Sequence, residues 1–160
     1  MCGMGVLPIK TKYKGPAPRY TGPADQPDII DEAISFFKAN VLFRNYEVKG
    51  PADRVLIYLT LYISQAINQM VNQSKGGAQK NLFNLAIQNF AVPGDKNFAL
   101  AGFVSNPANR AEADQIRQYL TQLRQETGDR LIEAVYAFGE NEPSKWWMCF
   151  SKRKFLNKNL

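Results

Sequence analysis

Residues Ala52–Val71 read ADRVLIYLTLYISQAINQMV. Val55 to Ile63 carries eight apolar or tyrosine side chains and a single threonine, so it is apolar on every side when wound as a helix. Such a helix is buried all round. A membrane span is the rival reading. It needs about 20 apolar residues, and here Thr60 interrupts the run and Gln65, Asn68 and Gln69 end it. The segment is therefore a central core helix of about residues 51–72. Pro51 suits its first position and Asp53 its first turn. Tyr58 and Tyr62 require hydrogen-bond partners inside.

Upstream, Asp28 can cap a helix from Ile29 to about Tyr46, with Asp31 and Glu32 against the positive end of its dipole. Ile30, Ala33, Ile34, Phe37 and Val41 recur every three or four residues. Phe36 and Phe43 widen that stripe. Downstream, Ser74–Gly77 reads as a loop marked by its glycine pair. Ala78–Phe90 reads as a helix with Leu82, Phe83, Leu85, Ala86 and Phe90 inward. The stretch from Phe98 to Val104 reads as a brief strand or an extended connector.

Asn106-Pro107 reopens helix, with Asn109 and Glu112 as an alternative capping pair. Ile116, Tyr119, Leu120 and Leu123 form its inner stripe, and Arg110, Arg117 and Arg124 its outer side. Gly128 is expected to end this helix in the left-handed conformation. Asp129 then starts another helix, with Leu131, Ile132, Val135 and Phe138 inward. Pro143 opens the last helix. The sum is an all-α fold: a single domain of five to six helices around the apolar one. Residues 28–160 form the helical domain, and residues 1–27, rich in Pro and Gly, form an extended arm. Val6, Leu7, Ile9 and Tyr13 give the arm apolar side chains with which to dock.

A chain of 160 residues is long enough for a real core. Its net charge of +6 points to an anionic partner. The cations sit at the ends. Lys10, Lys12, Lys14 and Arg19 lie in a stretch without an acid, and so do Lys145, Lys152, Arg153, Lys154 and Lys158. Two cysteines make no disulfide framework and no metal-type spacing, and a reducing compartment fits. Cys2 is expected in a mobile terminus. The first ten residues lack the pattern of a signal peptide, and position 2 is not the glycine that myristoylation needs.

Histidine is absent. This removes the commonest general base and metal ligand. No phosphate loop or nucleophile elbow stands in its place. These observations point to a protein without catalytic activity, cofactor or metal.

The remaining feature is PSKWWMCFSKRKF, Pro143–Phe155. Adjacent tryptophans cannot face the same way on a helix or strand. One of Trp146 and Trp147 packs inward with Phe150 and the other stays near the surface; the sequence leaves open which. Beside Lys152, Arg153 and Lys154, an outward tryptophan suits an interface. A single-stranded nucleic-acid module is the alternative, but it needs several exposed aromatics on one platform. A membrane-surface helix needs a longer apolar face. An acidic protein surface fits best.

KGPAPR (Lys14–Arg19), DIIDEAISFFKANVLFRNYEVK (Asp28–Lys49), ADRVLIYLTLYIS (Ala52–Ser64), YLTQLRQETGDRL (Tyr119–Leu131) and PSKWWMCFSKRKFLNKNL (Pro143–Leu160) follow in order along almost the whole chain. Together they closely resemble the family of subunit 3 of the actin-related protein 2/3 complex, the small p21-type subunit. Departures lie at the N-terminus, in Thr21–Gln26, in the loop around Lys75 and in Val92–Val104. The resemblance implies an all-α, non-catalytic subunit of a seven-subunit cytoplasmic assembly of the actin cytoskeleton that nucleates branched actin filaments. It further implies packing on the actin-related protein 3 subunit and a position close to the mother filament. It implies no nucleic-acid partner and no membrane insertion.

Overall fold

A computed structural model describes residues 1–42 and 47–160. The elements are α1 (Ile29–Asn40), α2 (Pro51–Asn68), α3 (Lys75–Ile87), α4 (Arg110–Val135), α5 (Lys145–Met148) and a closing 3-10 turn (Phe155–Asn157). No strand occurs among the described residues. A single parallel bridge links Ile9 to Arg19.

The apolar helix takes the centre. From Val55 through Ile63 every residue of α2 is buried, followed by Ala66 and Ile67. Thr60, the polar interruption, turns its hydroxyl onto the Leu56 carbonyl at 2.8 Å, so the helix itself satisfies it. α1 packs on one side of α2, and α4 packs on α2, α3 and α1. The first half of α2 has no solvated face because each side meets another element. No helix of the described residues is long and apolar enough to cross a membrane.

Where the structure departs from the periodicity, packing is the reason. α1 ends at Asn40, well short of Tyr46, which lies outside the described residues together with Phe43. Phe36 does not widen the buried stripe. It is 56% exposed, while its neighbour Phe37 is fully buried. The glycine pair is not a loop. Ser74 caps α3 by accepting the Gly77 N–H at 3.3 Å, so Gly76 and Gly77 lie in the first helical turn. α3 stops at Ile87, and Phe83 faces outward. Phe98–Val104 is a run of turns rather than a strand.

The largest correction concerns Gly128. It ends nothing: α4 runs unbroken for 26 residues. The glycine is fully covered by α3, and a β-carbon placed there would stand 3.6 Å from Leu82 Cβ. The residue is an interior position of α4 beside Leu82 of α3, not a left-handed cap, and the space there does not require glycine. Phe138 follows the end of α4 and is 90% exposed rather than inward. The last helix is one turn long, and the chain then wraps on to bury Phe155. Arg124, expected on the outer side of α4, is buried.

Residues 1–27 follow α4. The Cys2 N–H donates to Glu112 Oε1 at 3.0 Å, and Cys2 is buried, so this terminus is not loose. The Tyr119 hydroxyl donates to the Gly5 carbonyl at 2.9 Å and accepts from the Leu7 N–H at 3.0 Å. The buried Gln122 amide donates to the Tyr13 carbonyl and accepts from the Ala17 N–H. Asn109, the alternative cap, is the one used: it accepts the Glu112 N–H at 2.9 Å.

Beyond these contacts, three segments meet at Asp28. Its side chain has no solvent exposure. It accepts the Ile30 and Asp31 N–H groups as the N-cap of α1, the Lys10 N–H from the arm, and Nη1–H and Nη2–H of Arg130 from α4. Burial alone would raise this carboxyl. The hydrogen bonds from Arg130 and the backbone overcome it and lower it from 3.8 to about 2.

Gly128→Ala gains helix propensity and meets only ordinary contact at Leu82, so it stabilises the fold by about 0.5–1 kcal/mol in urea denaturation. A left-handed cap at this position would make the same change destabilising. Asp28 has a folded pKa below its unfolded value, so its contribution is complete above about pH 4 and is lost as pH falls toward 2. The shift corresponds to roughly 2 kcal/mol. Asp28→Asn therefore lowers stability at pH 7 and flattens the stability profile between pH 4 and 2, measured by denaturant titration across that range.

Candidate interaction surfaces

The tryptophan pair divides as adjacent helical residues must. Trp147 is buried and stacks on Phe37 of α1, with ring centroids 6.0 Å apart and planes 18° from parallel. Phe150 meets the same Phe37 edge-on at 6.1 Å. Both therefore seal α1 against the C-terminal segment. Lys38 Nζ lies 4.7 Å from the Trp147 ring centroid, a cation–π contact from the outside. Trp146 faces solvent at 74% exposure.

Lys152, Arg153 and Lys154 are exposed and form no ion pair among the described residues. They line a cleft of about 520 Å³ with Val41, Leu42 and Leu156. Val41 and Leu42 follow the last turn of α1, where helix carbonyls carry partial negative charge, so the cations are favourably placed there. That electrostatic role accounts for their position without exhausting them. Leu42 is 54% exposed, so the cleft combines an apolar wall with three free positive charges.

The arm cations are less uniform. Lys10 is spent inside the molecule. Its ammonium donates to the Ala24 carbonyl at 3.0 Å and to the Gln26 carbonyl, stands 3.8 Å from Asp31 Oδ2 and covers the Tyr20 ring at 4.8 Å. Lys12 lies over Tyr13 at 5.5 Å. Lys12, Lys14 and Arg19 are exposed, and Lys10, Lys14 and Arg19 line one cleft of about 550 Å³. This cleft and the C-terminal one share no residue. The basic ends thus line two different clefts.

The periodicity missed a set of apolar surface residues. Phe36, Phe83, Ile87 and Phe138 are each more than half exposed. For three of them the sequence carried a signal. Phe36 is adjacent to the buried Phe37, so one of the pair had to face out. Phe83 and Ile87 stand one turn apart on α3, off the stripe of Leu82, Leu85 and Ala86. Single exposed apolar side chains are ordinary on a folded surface. Among the described residues no group of His, Cys, Asp and Glu could hold a metal ion.

Comparison with known proteins bears on what these surfaces belong to. A family model described as P21-Arc, the ARP2/3 complex ARPC3 (21 kDa) subunit, matches residues 1–160. The actin-related protein 2/3 complex subunit 3 of Dictyostelium discoideum is 54% identical over 97% of this chain and 88% of its own length. The Schizosaccharomyces pombe protein of the same name is 48% identical over 98% of this chain and 89% of its own. That of Arabidopsis thaliana is 43% identical over 98% and 88%. A match this long, at this identity, has one meaning: the chain belongs to the family of subunit 3 of the actin-related protein 2/3 complex.

Proposed function

We propose that this chain is a non-catalytic subunit of an actin-related protein 2/3 complex and supports nucleation of branched actin filaments in the cytoplasm. It does so by holding two basic surfaces against acidic protein partners. The finer reading is that it packs on the actin-related protein 3 subunit and lies near the mother filament. The observation that carries the role of the C-terminal surface is the free cluster Lys152, Arg153 and Lys154 around an exposed Leu42, in the segment that also presents Trp146. Positive charge speeds and orients the encounter with an acidic surface, and the apolar side chains supply the area that holds it.

The mechanism is coupling through contacts. A subunit whose core is locked by Phe37, Trp147 and Phe150 presents its surface side chains without paying to order them on binding. The nucleic-acid alternative loses its platform, because Trp147 is in the core and Trp146 is the only exposed aromatic in the C-terminal segment.

Affinity purification of the tagged chain from its native cells recovers actin-related proteins on this reading; their absence ends it. The double charge reversal Lys152→Glu with Arg153→Glu weakens branch formation, and the defect deepens as salt is lowered and like-charge repulsion grows. Pyrene-actin assembly with branch counting by microscopy measures it, and unchanged branching removes the cluster from the mechanism. The tryptophans separate cleanly. Trp147→Ala lowers fold stability by about 3 kcal/mol. Trp146→Ala leaves the melting temperature within a degree or two of wild type while reducing recovery of the partner proteins.

A further inference from the structure

Arg124 is 1% exposed, and no carboxylate of the described residues stands within ion-pairing distance of it. Its Nη2–H donates to the Leu85 carbonyl at 2.5 Å and its Nη1–H to the Tyr58 hydroxyl at 3.3 Å. The guanidinium carbon lies 4.1 Å from the Phe90 ring centroid and 4.6 Å from that of Tyr62. Two aromatic faces and two neutral acceptors offset part of the cost of burying a cation, but they supply no counter-charge. The Nε–H, moreover, has no partner.

This guanidinium helps to wall a pocket of about 220 Å³. Tyr58, Gln65, Gln88, Asn89, Asn97, Ala99 and Leu160 line it as well, and no aspartate or glutamate does. Gln65 Oε1 is buried and likewise unpartnered. The amide turned over presents N–H donors in its place. The volume is below the roughly 300–1,000 Å³ of sites for drug-sized ligands. It admits one polar group, not a nucleotide or a large cofactor. A buried cation with a free N–H, aromatic walls, four side-chain amides and no aspartate or glutamate is the chemistry of an anion receptor, and a planar acceptor pair matches the guanidinium best.

We infer that the pocket beside Arg124 binds a single carboxylate group, with Arg124 as its counter-ion and the amides of Gln65 and Asn89 as further donors. The carboxylate belongs either to a small free acid or to an acidic side chain of an assembled protein. Only the second source rests on the assembly reading above.

The full chain labelled with ¹⁵N-arginine reports on Arg124 through its Nε–H resonance. Sodium acetate is titrated against sodium chloride at matched ionic strength. The expected result is a saturating shift with acetate that chloride does not produce. A resonance that stays still, or moves alike in both salts, overturns the proposal. Ala99→Leu narrows the pocket while leaving Arg124 in place, and it removes the acetate response. A response that survives this change unaltered puts the acetate elsewhere and also overturns the proposal. Assignment by triple-resonance experiments on the wild-type chain avoids dependence on an Arg124 variant that fails to fold. Normal co-purification of Ala99→Leu with partner proteins then identifies a free acid, and reduced co-purification identifies a partner's side chain.

Discussion

One buried carboxylate holds three separate parts of this molecule in register. Asp28 caps α1, receives the backbone N–H of Lys10 and pairs with Arg130 near the far end of α4. Arg130 returns the contact by donating to the Lys10 carbonyl at 2.5 Å, and it also meets Asp31 and Glu126. A fully buried carboxylate is costly unless every lone pair is used. Here five N–H donors use them, so the group is stable only when arm, first helix and long helix are all in place. Such a node penalises any arrangement in which one of the three is missing, and the arm cleft depends on it.

The long helix is the second organising constraint. Glu112, Tyr119, Gln122, Glu126 and Arg130 recur at spacings that place them on one face, and each of them bonds the arm in the structure, Glu126 through the Thr11 side chain. A polar face with buried members looks on the sequence like a solvated one. Gln122 is 2% exposed, and Arg130 is largely covered as well. The face became legible only when the Pro- and Gly-rich arm lay on it and supplied backbone donors and acceptors. Arg124 reads as solvated on the sequence for a related reason. Charged residues are rarely buried, and nothing in its neighbourhood on the helix shows that Tyr62 and Phe90, distant in the chain, cover it.

The candidate surfaces were legible to the same degree. Basic ends, an outward tryptophan and a C-terminal cluster all follow from residue order. The choice of Trp146 as the outward ring does not, because it rests on where α1 places Phe37. Nor does the separation of Lys10 from the other arm cations, because its ammonium is taken by carbonyls of Ala24 and Gln26. Phe83 and Phe138 read as core on the sequence because an apolar residue on a helix is usually inside. That rule runs one way, since folded proteins keep much apolar surface.

The sequence by itself determined the all-α class, the burial of residues 55–63, the caps at Asp28 and Asn109 and the family, because these depend on local periodicity, short-range hydrogen bonding and residue identity. Only the tertiary structure decided that Gly128 lies inside one continuous helix, that Arg124 and Gln122 are interior, and that the basic ends line two different clefts. Each of these depends on which distant segment covers a given face. That is a matter of close packing between elements, and no window of the chain contains both partners.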